Sequence, residues 1–288
     1  MSEMNKILRG ALVATASVAG LFLAGTTMSA QAKTVLPGSA KSAYWGNQTS
    51  YVRLKKTMDV GILKKSGKTY RPLIKKKGSL LAVQGMGGAA NDKDQAGNIV
   101  IRAAFSSGAV HYNRQKNLNY RGKISIPFTK ANFKSVKLKA PDRTLLFQKG
   151  TGFETNGKYT LKTPSAFYLT LDNYLQAYSA SAMKKVAPGG GVYQMTANEL
   201  WKPTYSTKVS KVTVKGAKTT IDYKKPIKGL PNKKVAKHHY RLTIQKLKGK
   251  HTQRFFPVDD TYDAQRTWTN YKVNGKRYFV GRFNQGLD

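Results

Sequence analysis

The chain contains no cysteine, and its acids are few: 13 Asp and Glu stand against 51 Lys and Arg in 288 residues. Without cysteine there is no disulfide to staple a small domain and no thiolate ligand of a zinc site. Scarce carboxylates weigh against acid/base hydrolysis of a glycan, which needs two of them facing each other. Past the first 32 residues the only glutamates are Glu154 and Glu199. Asp259, Asp260 and Asp263 cluster beside Phe255-Phe256-Pro257, where they read as a local balance for lysines. Histidine is equally sparse, with four in all. His111 stands alone, and His238-His239, adjacent on an expected strand, point to opposite faces and cannot easily share one ion. The longest small and apolar run, Ala11 to Gly25, falls short of the roughly twenty residues of a membrane-spanning helix.

That run has a different reading. Lys6 and Arg9 precede it, and Ala30-Gln31-Ala32 follows with the small-x-small pattern of a cleavage site. Residues 1–32 are therefore expected to be a signal peptide cut between Ala32 and Lys33. No cysteine follows to carry a lipid, no second apolar segment of spanning length appears, and no sorting motif closes the chain. The expectation is export, then release or retention by non-covalent forces, with no membrane span in the mature chain. Hydrophobic residues make up 40% of the chain, enough for real cores rather than a disordered basic tail.

Residues 33–49, rich in Gly, Ser, Pro and Asn, read as a linker. From Ser50 the pattern is that of strands. Val52 and Leu54 alternate with Tyr51, Arg53 and Lys55. "TYRPLIKK" follows a Ser66-Gly67-Lys68 turn and "SLLAVQG" follows Lys77-Gly78, with Leu73, Ile74, Leu80, Leu81 and Val83 as expected core and lysines facing out. "NIVIRAAF" and "AVHYN" read as the next hairpin. Short strands between Gly-containing turns predict an all-β fold of two or three small barrel or sandwich modules, with room for one short helix in the middle. The expected modules are 50–122, 123–205 and 206–288. Leu171–Val186 fits either a helix or a hairpin across Asp172-Asn173; its aromatic, β-rich flanks favour the hairpin. Val273-Asn274-Gly275-Lys276 carries the Asn-Gly pair of tight hairpins.

Several motifs resemble catalytic signatures without completing them. Gly85-x-Gly87-x-x-Ala90 lacks the helix and the downstream acid of a dinucleotide fingerprint. Asp92, Asp94 and Gly97 have calcium-loop spacing, but Ala96 and Ala103 occupy ligand positions. Ser181-Ala182-Met183-Lys184 matches S-x-x-K, yet its S-x-N and K-T-G partners do not follow. No cofactor is implied, and no catalytic residue is assigned.

The signal-type segment, "KKKGSLLAVQG", "FYLTLDNYLQAYS" and "YKVNGKRYFVGRF" together resemble the basic, cysteine-free, β-rich extracellular proteins of lactobacilli. The first and last pieces are also similar to bacterial Src-homology-3-like wall-binding modules and to the basic wall-anchoring domain of surface-layer proteins. The resemblance implies non-covalent attachment to the cell wall. A net charge of +38 would be relieved by a polyanion, against the plainer reading that a basic surface suits an acidic niche without any ligand. Export argues against a dedicated nucleic-acid partner and for the teichoic acid and peptidoglycan of a Gram-positive wall. The expected contacts are Lys64, Lys65, Lys75, Lys76 and Lys77, with Lys224, Lys225, Lys233 and Lys234. Trp45, Tyr70 and Trp268 are candidates for stacking on sugar rings, against the plainer reading that such aromatics fill small barrels. A wall hydrolase with an unrecognised site, and a secreted adhesin or antimicrobial factor, remain the alternative expectations. The sequence does not indicate an oligomeric state.

Overall fold

The computed structural model describes residues 50–87, 92, 93, 97, 100–106, 110–119, 126–138, 143–156, 160–186, 202–255 and 264–285. Outside them lie the signal-type segment with its Ala32–Lys33 junction, the linker, Trp45, Glu199, Trp201 and the Asp259–Asp263 cluster. The fold is all-β, with two very short helices among the described residues.

The first unit is built from β1 (Ser50–Leu54), β2 (Met58–Ser66), β3 (Thr69–Lys75), β4 (Leu80–Gly87), β5 (Arg102–Ser106), the single helical turn α1 (Tyr112–Gln115), β6 (Leu118–Asn119), β7 (Ile126–Pro127) and β8 (Phe133–Val136). A curled five-stranded sheet runs β7-β5-β4-β1-β8, and a three-stranded sheet runs β3-β2-β6. One core joins them: Val52 and Leu54 from β1, Val60 and Ile62 from β2, Val83 from β4, Phe105 from β5, and Phe128 and Phe133. The period-two pattern of β1 holds, since Val52 and Leu54 are buried while Arg53 and Lys55 are exposed. Ile74 departs from the expected core and is 56% exposed. Its strand, β3, lies at the end of its sheet, and Pro72 in mid-strand suits that edge because it offers no N–H to a further neighbour. "AVHYN", read as strand, instead enters the turn α1, where the Tyr112 N–H donates to Gln176 Oε1 at 2.8 Å. A tertiary bond overrides the local β preference there.

The second unit comprises β9 (Phe147–Lys149), β10 (Thr155–Asn156), β11 (Thr160–Leu161), β12 (Ala166–Leu169), β13 (Tyr174–Tyr178), α2 (Ala180–Val186), β14 (Tyr205–Lys215), β15 (Lys218–Tyr223), β16 (Lys233–Ala236), β17 (His239–Lys246), β18 (His251–Phe255), β19 (Ala264–Val273) and β20 (Lys276–Gln285). Eight antiparallel strands, β17-β15-β14-β13-β12-β9-β20-β19, close into a barrel through the β17–β19 pair. Strand alternation fills its interior with Phe147, Phe167, Leu169, Leu175, Ile221, Tyr223, Leu242, Ile244, Tyr271, Val273, Tyr278 and Val280. Phe147 meets Tyr271 edge-on at 5.0 Å, and Phe167 meets Tyr278 at 5.4 Å. Burial pushes the Tyr278 phenol up to about 12. Outward positions are lysine-rich, the reverse of a barrel that faces lipid.

The pairings do not respect the expected boundaries at 122/123 and 205/206. β7 and β8 complete the first sheet against β5 and β1, while β9, β12 and β13 share one barrel with the strands after 206. Strands as short as those of 123–205 bury their apolar faces only by joining a larger sheet. Leu171–Val186 resolves into both readings: a β12–β13 hairpin turning at Asp172-Asn173, then α2, whose Met183 covers the outer face of that hairpin beside Leu146, Tyr168 and Tyr178.

The two units touch at a mixed junction. The Tyr51 hydroxyl meets Thr144 Oγ1 at 2.5 Å and donates to the Arg143 carbonyl at 2.9 Å. Tyr51, alone among the outward residues of β1, is buried for this reason. The His111 N–H donates to Asp172 Oδ1 at 2.9 Å, and its ring stacks on Tyr174 at 4.0 Å.

Candidate functional site

The charge is arranged on strand faces and at turns. In β14, Lys208 is exposed between buried Thr207 and Val209; a bulge between Val209 and Lys211 then resets the register so that Lys211, Thr213 and Lys215 face solvent. Without that extra residue the strand's second half would turn lysines toward the barrel. Among the described residues one lysine, Lys162, has a carboxylate partner, Glu154 at 3.0 Å; the other pairs use arginine or histidine. Among the described residues the lysine charge is thus almost entirely without ion-pair partners.

The expected lysine contacts fall in separate places. Lys64 and Lys65 are exposed on β2, and Lys76 and Lys77 occupy the turn before Gly78, whose φ of 83° suits glycine. Lys75 differs. Burial lowers its pKa most, and the charges of Arg114 and Lys64 lower it further. Lys75, Lys64 and Arg114 therefore crowd one another at the junction, where Arg114 is also paired with Asp172 at 3.2 Å. In the barrel, Lys234 pairs through Tyr240 to Tyr223, which directly precedes Lys224 and Lys225. Lys224, Lys225, Lys233 and Lys234 accordingly share one end of the β16-β17-β15 sheet. Lys233 and Lys234 lie on β16, the outermost strand in that direction, where lysine also guards a sheet edge against pairing.

The opposite end of β15 and β17 forms an open cleft at the barrel mouth. It lies five residue steps along the strands, on the order of 17 Å from the Lys224 group. Its volume is about 510 Å³, and its lining includes Lys246, Lys248, Lys250, Thr267, Trp268 and Val280, with no acidic residue among the described ones. Gly249, at φ 90°, turns the loop between β17 and β18 and sets Lys248 and Lys250 on its two sides. Thr267 is 1% exposed, and its Oγ1 has no hydrogen-bond partner among the described residues. Sequence reading singled out Trp268 but missed Lys246, Lys248, Lys250 and Thr267. The local signal was "KLKGKH", alternate lysines around a glycine, indistinguishable there from many other basic turns.

Trp268 contributes to the cleft lining, but its indole packs on the face of β19 opposite Thr267. Its indole N–H donates to the Thr151 carbonyl at 2.9 Å, its ring stacks with His251 at 5.3 Å, and Phe153 meets it edge-on at 5.8 Å. A Cβ on Gly152 would stand 2.6 Å from the indole, so glycine is needed for this approach. Tyr70, the other described aromatic candidate, is 47% exposed on edge strand β3.

The catalytic-looking motifs gather no constellation among the described residues. Ser181 and Lys184 are both exposed on α2, one turn apart. Asp92 is held by the Arg102 guanidinium, which keeps its carboxyl below the usual range. His238 sits in a turn at φ 51°, and His239 lies 3.5 Å from Asp222, which also takes Arg241 at 2.7 Å. No group of three or more His, Cys, Asp or Glu among the described residues is placed to share a metal ion. No helix among them is long and apolar enough to cross a membrane. The chain matches no protein-family model, no curated protein and no solved structure.

Proposed function

We propose that the protein is exported and binds the anionic polymers of a bacterial cell wall, teichoic acid above all, without a covalent link. The observation that carries this reading is the uncompensated lysine charge of the outward faces: 51 basic residues against 13 acids, with Lys162 the one ion-paired lysine among the described residues. A folded domain bearing such a charge repels itself, and a phosphodiester chain relieves that repulsion while releasing its own counterions. The lysine groups lie at both ends of the barrel and on the first unit, so one long polymer can engage several at once and gain avidity. Action is collective, and no single residue is assigned a catalytic role.

Binding to immobilised teichoic acid across a salt series tests this. The logarithm of affinity should fall linearly with the logarithm of salt, with a slope of roughly −0.7 per phosphate engaged if the polymer behaves as a single-stranded polyanion. A slope near zero would sink the electrostatic reading.

A further inference from the structure

We infer that the barrel-mouth cleft is a specific, saturable site for one phosphodiester unit of a polyol-phosphate chain. In it Lys246, Lys248 and Lys250 neutralise the phosphate and the Thr267 hydroxyl donates to one of its oxygens. The inference rests on the wall-polymer reading and goes further, since distributed lysines alone need no pocket. Three features meet here and at no other lysine group described. The cleft is concave, about 510 Å³, and sits at the mouth of a barrel, where small ligands are commonly held. Its lining among the described residues carries three lysines and no acid, a setting that favours an anion. Its wall includes Thr267, a buried hydroxyl left without a partner among the described residues, at a cost that a ligand oxygen would remove.

The remaining lining fits a polyol phosphate better than a bare ion. Val280 gives the cleft an apolar contact for the carbon chain, and Thr269 adds a second hydroxyl group to its lining.

The test is calorimetric titration of the full chain with a soluble glycerol-phosphate oligomer, alongside sedimentation with intact walls. Wild type should bind the oligomer saturably, with one site per chain. Thr267→Val keeps the shape and removes the hydroxyl. It should weaken the oligomer about tenfold or more, the loss of a hydrogen bond to a charged group, and raise the thermal midpoint of the free protein. Lys248→Ala/Lys250→Ala should weaken it further, whereas Lys184→Ala/Lys185→Ala, an equal loss of charge at exposed positions of α2, should leave oligomer binding within twofold. Equal losses in the two double variants, or binding that never saturates, overturn the cleft site while the wall-polymer reading stands. Saturable oligomer binding without any wall sedimentation fails the wall reading and keeps the site. A lipid headgroup carries the same phosphodiester, so vesicles of phosphatidylglycerol in phosphatidylcholine are run beside the oligomer. Oligomer binding that the vesicles do not displace supports the wall polymer, and displacement by the vesicles overturns that assignment.

Discussion

Replacing Asn274 by glycine should weaken the barrel where it closes. Asn274 and Gly275 turn the β19–β20 hairpin at φ 44° and 84°, the pair of positive values that a tight hairpin requires. The Asn274 side chain also acts far from that turn. Its Oδ1 accepts from the Thr243 N–H at 2.8 Å, and its Nδ2 donates to the carbonyls of Pro231 at 2.6 Å and Arg241 at 2.7 Å. Two of these bonds tie the hairpin to β17, the strand whose pairing with β19 shuts the barrel, and the third ties it to the segment before β16. Glycine keeps the backbone conformation and removes all three; the strain it relieves at positive φ roughly offsets its extra chain entropy. At about 1 kcal/mol net per bond, and with water reaching part of the vacated site, the loss should be about 2–3 kcal/mol. For a chain of this size that is a fall of roughly 4–10 °C in the thermal midpoint. Asn274→Asp retains the acceptor but sets a carboxylate oxygen against the Pro231 and Arg241 carbonyls, so it should be at least as destabilised as the glycine variant. Urea unfolding followed by near-ultraviolet circular dichroism measures both variants. A loss below about 0.5 kcal/mol for the glycine variant would refute the idea that this side chain seals the barrel.

Further outcomes follow from other packed places. Gly281→Ala would set a Cβ 2.1 Å from the Phe153 ring, so it should cost about 1–3 kcal/mol and disturb the fluorescence of the neighbouring Trp268. His111, whose pKa is lowered chiefly by burial, is held neutral at the junction beside Asp172, Tyr174 and Ser206, with Arg114 nearby. Because its folded pKa lies below the ordinary 6.5, its contribution is fully present above that pH and is lost as pH falls toward the folded value. The thermal midpoint should therefore drop below about pH 6.5, and His111→Gln should flatten that part of the profile. Tyr51→Phe, which removes the hydroxyl bonded to Arg143 and Thr144, should lower stability by about 1–2 kcal/mol while leaving wall binding unchanged at a temperature where it is folded. Changing Lys224, Lys225, Lys233 and Lys234 together to glutamine should make the salt slope of polymer binding shallower, by up to roughly 0.7 for each lysine in contact.

What the sequence disclosed was local. The alternation of Val52 and Leu54, the Asn274-Gly275 turn and the hairpin at Asp172-Asn173 all follow from neighbouring residues, and each stands in the structure. Closure of the barrel was not legible, because β9 pairs with β20 across more than a hundred residues and neither strand marks its partner. The pairings that cross residues 122/123 and 205/206 were not legible for the same reason, since short strands do not announce which sheet they will complete. His111 looked isolated in the chain and proves to sit in a junction between the two units, with Asp172 61 residues away. The lysines were legible as charge but not as geometry. Only the closed barrel shows that Lys246, Lys248 and Lys250 ring a cleft while Lys233 and Lys234 lie along an edge.

Sedimentation of the protein with purified Gram-positive walls, before and after teichoic acid is stripped, tests the central claim most directly when repeated across a salt series. The account predicts binding that disappears on stripping and weakens steeply with salt. Binding that survives both treatments would contradict it, making the lysines bystanders to a different kind of recognition.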